Sequence, residues 1–283
     1  MEVDSWLTGR RGIGLPFTDD CEPLAEDGPT FQRLWQSAID FGIGRGWKYL
    51  ECRGGRQWFG DARASVSFYA HVLDLTVGEA NLFAGLDGAV RRAIRKAEKS
   101  GVKVEIAQDV EAVRVFYRLL CRTRKKHGLP PQPFSFFRNI AEQVLAGGFG
   151  AVVTASHLGR PIAASVYFHS GDGAIYKYGA SDERYQEFRG ANLVMWEAIK
   201  WQARRGARTL HFGRTSLNND GLRRFKLGWG ATEQPIDYFR FDLRQQKFLA
   251  GADEASGWYN RVFRILPMSV SRLIGAALYR HSA

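Results

Sequence analysis

Apolar residues along this chain switch between the period of a strand and the period of a helix, and the order of the switches predicts its elements. After an acidic, turn-prone stretch at 18–27, the spacing predicts a helix over about 30–40 and strands near 47–52 and 65–72. A longer helix follows over about 80–100, with Val90, Ile94 and Ala97 on one face and Arg91, Arg92, Arg95 and Lys99 as a basic ridge on the other. Residues 102–106 alternate as a strand. Asp109 is placed to cap a helix whose apolar face is Val113, Phe116, Tyr117 and Leu120, ending near His127 and Gly128 ahead of Pro130 and Pro131. A helix over 134–146 stops at Gly147 and Gly148.

Three strands are predicted next, at 149–157, 161–169 and 173–180. The gaps between them, Leu158-Gly159-Arg160 and Gly171-Asp172-Gly173, have hairpin length, which makes the three antiparallel neighbours. Within the last strand, period two puts Tyr176 and Tyr178 on one face and Lys177 on the other. A helix from Gly190 to about 205, a strand at 208–213, a short helix at 219–227 and a strand near 235–242 complete the series. The expected fold is α/β (α+β): a mixed, mostly antiparallel twisted sheet flanked by helices, with its principal domain at 101–245. Residues 1–80 are read as a partial or atypical N-terminal unit, 81–100 as a basic connecting helix and 246–283 as an amphipathic basic tail. In that tail, over 258–279, Val262, Ile265, Val270 and Leu273 are interspersed with Arg261, Arg264 and Arg272.

The 283 residues are about twice a typical domain, and an apolar fraction of 45% supplies an adequate core. The formal charge of +11 implies a positive field that attracts phosphates, acidic polymers or anionic lipid. It identifies partners, not a reaction. Three widely spaced cysteines, Cys21, Cys52 and Cys121, fit neither a disulfide scaffold nor a structural zinc site. With no signal-peptide core at the start and no membrane-length apolar run, the expected location is the cytoplasm; the tail has two readings, packing on the domain, which is favoured, and peripheral contact at the inner membrane face.

Four motifs occur in order: Arg91-Arg92-Ala93-Ile94-Arg95-Lys96-Ala97-Glu98-Lys99-Ser100-Gly101-Val102; Tyr176-Lys177-Tyr178-Gly179-Ala180-Ser181; Gly190-Ala191-Asn192-Leu193; and Phe212-Gly213-Arg214-Thr215 with Gly221-Leu222-Arg223-Arg224-Phe225-Lys226-Leu227-Gly228-Trp229-Gly230-Ala231. Together with the order of elements, they resemble the Fem-like branch of the GNAT (N-acetyltransferase) superfamily, which includes peptidoglycan bridge peptidyltransferases and relatives encoded with exopolysaccharide or exosortase systems. The resemblance covers about 13–245. It implies a GNAT-like sheet at 101–245 and a partial second GNAT-like unit at the N-terminus. It also implies acyl or aminoacyl transfer to an amine of a cell-envelope or exopolysaccharide precursor. The donor would be aminoacyl-tRNA or acyl-coenzyme A, with no tightly bound cofactor, and the acceptor a phosphorylated small-molecule or lipid-linked precursor.

Candidate site residues follow from chemistry and resemblance together. Lys226, beside the apolar face of its short helix, is a cation able to stabilise the oxyanion of a tetrahedral intermediate, and it resembles the lysine that Fem-type enzymes place at the transferring carbonyl. Tyr178 is a phenol able to donate to that carbonyl, and Asp19, favoured over Asp20 by resemblance, a carboxylate able to position an amine. Arg95, Lys96 and Lys99 on the basic ridge, with Arg214 and Arg223, are candidates for phosphate contact. Asn192 sits in the first turn of a helix, where amides and dipole favour an anion. The Gln/Arg-x-x-Gly-x-Gly/Ala loop with which ordinary GNAT enzymes wrap coenzyme A is altered here, with Glu187 and Asn192 at its ends. The histidines show no metal spacing, and no nucleophile triad stands out, so direct attack by a substrate amine is the expected chemistry. Three other readings stay open: an acetyl-coenzyme A dependent N-acetyltransferase, a non-catalytic tRNA or nucleic-acid binding module, and a structural partner in a polysaccharide assembly.

Overall fold

In the computed structural model, which describes residues 1–251 and 259–281, the alternating segments join into one eleven-stranded sheet. Its strands are β1 (Glu2–Val3), β2 (Arg11–Ile13), β3 (Tyr49–Arg53), β4 (Val66–Asp74), β5 (Lys103–Ala107), β6 (Gly150–His157), β7 (Arg160–Ser170), β8 (Gly173–Ser181), β9 (Thr209–Ser216), β10 (Thr232–Asp242) and β11 (Lys247–Phe248). They lie in the order β1-β2-β3-β10-β4-β9-β8-β7-β6-β5, with β11 on β10. Among the described residues only the β2/β3 and β8/β9 pairs are parallel. The predicted hairpins β6-β7-β8 form as antiparallel neighbours, and the mixed, mostly antiparallel sheet is the expected one. Residues 1–80 enter the same sheet, because β10 lies between β3 and β4.

Helices cover both faces. On one, α2 (Glu79–Gly85), α3 (Gly88–Lys99) and α6 (Gly190–Arg204) bury Ile94, Ala97, Leu193, Trp196 and Ile199 against Val153, Tyr167 and Leu210. On the other, α4 (Val110–His127) and α5 (Phe134–Ile140) bury Val113, Phe116, Leu120 and Phe137 against Val152, Ala164 and Val166. Each large side chain so buried contributes roughly 1.5–3 kcal/mol. The helix α1 (Gly28–Gly44) packs Ile39 with Trp47, Leu50 and Leu243. Three helices complete the set: α7 (Asp220–Leu227), α8 (Tyr259–Ile265) and α9 (Met268–Leu278). Of the tail segment read from sequence, Trp258 lies outside the described residues. Among the described residues, no helix is long and apolar enough to cross a membrane.

Local chemistry sets the helix ends. The Asp109 carboxylate accepts the Ala112 amide at 2.8 Å, the cap expected from sequence. The helix expected over 80–100 is instead two, because Leu86 turns extended and buried while Asp87 accepts the Ala89 amide at 2.6 Å and starts α3. At Gly128, which ends α4 with φ +67°, a Cβ would lie 1.9 Å from the Asn260 carbonyl, so only glycine lets α8 approach.

One buried ion cluster pins β3 to β10. Glu51 is 2% exposed and receives Arg53 Nε at 2.7 Å and Arg240 Nε at 2.5 Å. Burial acts to raise its pKa, but Arg240 and Arg53 outweigh burial and hold the carboxyl below its usual value. The depressed pKa contributes stability that is present above the ordinary carboxylate range and lost as pH falls through the folded value. Replacing Glu51 by Ala strands two arginines and is expected to cost about 3–5 kcal/mol in urea denaturation. A cost under about 1 kcal/mol, the range of an exposed pair, would show that the cluster does not hold the strands together.

Candidate active site between β8 and β9

The parallel pairing of β8 with β9 covers only Gly173–Thr209, Ala174–Leu210 and Ile175–His211. Beyond it each strand carries a register shift. In β8, Val166 opposes Tyr178 and Tyr167 opposes Tyr176, leaving Lys177 as an extra residue. In β9, Arg214 opposes Ala70 and His211 opposes Val72, so Phe212 and Gly213 together face His71. Gly213 takes φ +71°, the left-handed geometry that glycine supplies at a bulge. The extra residue in β8 also corrects the period-two expectation. Tyr176 packs on Tyr167 and Phe212 in the α3/α6 core, while Tyr178 packs on Phe116 and Phe137 under α4 and α5. Tyr176 and Tyr178 therefore face opposite sides, and Lys177 joins Tyr178 in lining one cavity.

The loop 15–20 enters this opening. The Lys177 ammonium donates to the Phe17 carbonyl at 2.8 Å and lies 3.4 Å from Asp19 Oδ2. Arg214 Nε is 3.8 Å from Asp19 Oδ1, and the Tyr238 hydroxyl donates to the Asp19 carbonyl at 2.5 Å. A Cβ on Gly213 would meet Asp19 Oδ2 at 3.0 Å. Asp19 thus sits where the two strands part, held by a cation from each.

Two cavities meet at this point. One, of about 560 Å³, is lined by Arg53, Arg124, Lys177 and Arg214, with Asp19 as its carboxylate and with Tyr178 and Tyr279. The other, of about 380 Å³, shares Phe17, Thr18, Asp19, Lys177 and Tyr178 but is otherwise mostly apolar. Burial lowers the pKa of Arg124, and among the described residues no carboxylate pairs with it. Arginine keeps its charge even so, leaving a partly desolvated cation facing the chamber. Burial, helped by Tyr279 and Asp19, pushes the Tyr178 phenol far above its usual value, so it remains a proton donor. Asp20 lines the apolar cavity, and its carboxyl is raised by burial and by Glu22.

Lys226 lies behind this opening. It is 2% exposed, and its ammonium donates to the Gly213 carbonyl at 2.7 Å and the Arg214 carbonyl at 3.0 Å. It lines neither cavity and braces the backbone of the β9 bulge. Arg223 is taken up by Glu233, donating at 2.7 and 2.8 Å, and lies over the Tyr69 ring. Arg95 lies over Phe83, and neither it nor Lys96, Lys99 or Asn192 lines either cavity. Of the candidates read from sequence, then, the opening brings together Tyr178, Asp19 and Arg214. It adds Lys177, Arg124 and His211. His211 Nδ1 accepts the Gly213 amide at 2.9 Å, which puts the ring proton on Nε2, a buried atom with no hydrogen-bond partner among the described residues. The sequence showed Arg124 only as one of a run of basic residues, and His211 only as a histidine without metal spacing.

Residues 87–240 match the acetyltransferase (GNAT) domain. The chain belongs to the GNAT acyltransferase family. Its fold is shared with FemX, at a TM-score of 0.61 and 15% identity over 75% of this chain and 77% of that one. It is shared with the C-terminal domain of a putative lysylphosphatidylglycerol synthetase from Agrobacterium fabrum, at a TM-score of 0.53 and 13% identity over 75% and 73%. A tandem GNAT protein from the clavulanic acid biosynthesis pathway aligns at a TM-score of 0.51 and 12% identity over 77% and 71%. No curated protein sequence matches significantly. GNAT enzymes take acyl-coenzyme A or aminoacyl-tRNA as donors.

The brace has a pH signature. Burial lowers the Lys226 pKa from 10.5 to about 8, with Asp19 acting in the opposite sense. Between those values the unfolded chain binds a proton that the folded GNAT protein lacks, so this group's contribution to stability grows as pH rises from about 8 to 10.5. Urea titrations across that window are expected to show wild type gaining stability relative to Lys226→Met. Parallel pH profiles for the two proteins would place the ammonium in water.

Proposed function

We infer that the opening between β8 and β9 transfers an acyl or aminoacyl group from an acyl-coenzyme A or aminoacyl-tRNA donor to the amine of an anionic cell-envelope or exopolysaccharide precursor. One observation carries this reading. A chamber with four cations and a single carboxylate meets a protonated phenol and an ionisable aspartate pair at the point where the sheet parts.

In this scheme the half-buried Arg124 and the exposed Arg214 hold the acceptor's phosphate or carboxylate, as guanidinium groups do well. Asp19 orients the amine, and Asp20, whose carboxyl burial and Glu22 make more basic than usual, takes its proton. The nitrogen attacks the carbonyl carbon, and Tyr178 and Lys177 steady the oxygen as it becomes negative. As the intermediate collapses, the new C–N bond stays, the C–S or C–O bond to the donor breaks, and the proton passes to the leaving thiolate or ribose oxygen. Lys226 acts through the backbone, by fixing the bulge that sets Gly213 and Arg214.

The other candidates take outlying roles. Arg95, Lys96 and Lys99 form a ridge on α3 separate from the chamber, an arrangement suited to an extended polyanion such as tRNA. Exposed Val262, Ile265, Val270 and Leu273 on α8 and α9, among Arg261, Arg264 and Arg272, suit peripheral contact with anionic membrane.

The test is transfer by the purified chain from a panel of acyl-coenzyme A and aminoacyl-tRNA donors to amines bearing phosphate or carboxylate, with products read by mass spectrometry. Tyr178→Phe is expected to lower kcat by about 100-fold, the scale of one lost oxyanion donor. Arg124→Met is expected to raise KM for the acceptor and to leave kcat near that of wild type. Full activity in Tyr178→Phe would remove the phenol from the mechanism, and full acceptor affinity in Arg124→Met would remove the anion site.

A further inference from the structure

The apolar cavity does not end beside the reacting groups. From Asp19, Lys177 and Tyr178 it passes between Phe136, Ile140, Val144, Phe168 and Ile175. At Val144, Phe168, Ile175 and His211 it runs into a third space of about 620 Å³, which opens to solvent beside Gly173 and the exposed Phe149. The groove follows β8 from Lys177 back to Gly173, four strand rises or about 13 Å. Its volume is in the range of small-molecule sites. One end is fixed by the catalytic groups and the other is open, so the occupant is elongated and enters the chemistry by one tip.

The chemistry of the walls narrows the occupant further. Over its inner length the groove presents side-chain carbon from α5, the turn after it, β7 and β8. The β8 backbone is already paired with β7 on one side and with β9 over 173–175 on the other. A peptide lying here would leave most of its amides without partners, a cost that a polymethylene chain does not carry. Two buried side-chain atoms of its lining residues, Asp20 Oδ1 and His211 Nε2, have no hydrogen-bond partner among the described residues, and burial holds the His211 ring's pKa down. Phe17, at φ +66°, lines both chambers with its ring stacked on Tyr279 at 5.1 Å, and the cationic and apolar spaces meet beside it at Thr18, Asp19, Lys177 and Tyr178. The two substrates would approach from opposite sides of that junction, one anionic and one apolar.

We propose that this groove is the acyl-chain subsite of the enzyme, and that the donor carries a medium or long linear hydrocarbon chain running from the Tyr178 junction past His211 toward Phe149. The inference rests on the acyl-transfer reading above and adds the class of acyl group. The carbonyl stays at the junction, and the chain buries its methylenes against Ile140, Val144, Phe168 and Ile175.

Binding is measured apart from turnover. The full chain is titrated with the fluorescent fatty acid cis-parinarate, which is then displaced by acetate, octanoate and dodecanoate. Saturable binding is expected, with dodecanoate displacing at least tenfold better than octanoate and acetate not displacing at all. Val144→Trp and Ile175→Trp, two substitutions from different walls, are each expected to weaken displacement by dodecanoate at least tenfold while circular dichroism and the thermal midpoint show the fold intact. If one variant unfolds, the other decides. No saturable binding, displacement independent of chain length, or unchanged binding in a folded Trp variant would overturn the proposal. With acetyl-, octanoyl- and dodecanoyl-coenzyme A as donors, kcat/KM is expected to rise with chain length in wild type and to lose that dependence in a Trp variant. A preference confined to the chain of the acceptor amine would overturn the assignment to the donor. Chain binding with no transfer from any donor would count against the enzymatic reading alone, and transfer without chain binding against the groove alone.

Discussion

The site depends on how early β8 and β9 part company. Two parallel strands with a common register would continue hydrogen bonding and leave no room between them, but here pairing stops after three residue pairs because each strand carries an extra residue. The backbone groups released by the parting need partners. Lys226 supplies them on one side by donating to the Gly213 and Arg214 carbonyls. On the other, the 15–20 loop inserts Asp19 between Lys177 and Arg214. The buried Lys226 ammonium, the left-handed Gly213 and the Asp19 carboxylate together keep the sheet open, and the candidate site residues Lys177 and Arg214 lie at its bulges.

The opening also orders the electrostatics of the molecule. A net charge of +11 is spread over the whole chain, yet at the site four cations face one carboxylate inside a half-buried chamber, where charge is screened less than on the surface. Immediately across Phe17 the lining turns apolar. Glu51 with Arg53 and Arg240 extends the same logic behind the chamber. Arg53 reaches it both as a lining residue and, through the Thr18 carbonyl at 2.8 Å, as an anchor for the loop that carries Asp19.

Much of the fold was legible because it rests on local signals. The Asp109 cap, the two hairpin turns and the face Val113-Phe116-Leu120 are each written within a few residues and appear as expected. What escaped depends on distant partners. A bulge adds a residue without altering composition, so alternation put Tyr176 and Tyr178 together when β7 separates them. The break at Leu86 is hidden because that residue keeps the apolar pattern of the helix while Asp87 starts a new one. Lys226 looked like a cation beside an apolar face, and only the fold shows two carbonyls waiting for it thirteen and twelve residues upstream. Arg124 was one basic residue among several until burial and the lack of a carboxylate set it apart.

The most direct measurement is a crystal structure of the full chain with a non-hydrolysable acyl-donor analogue bound. The account predicts the analogue's carbonyl oxygen within about 3 Å of the Tyr178 hydroxyl, in the gap beside Asp19, with Lys226 still beneath the β9 bulge. Density for that carbonyl on the α6 face near Asn192, with the gap between β8 and β9 filled by the 15–20 loop alone, would contradict it.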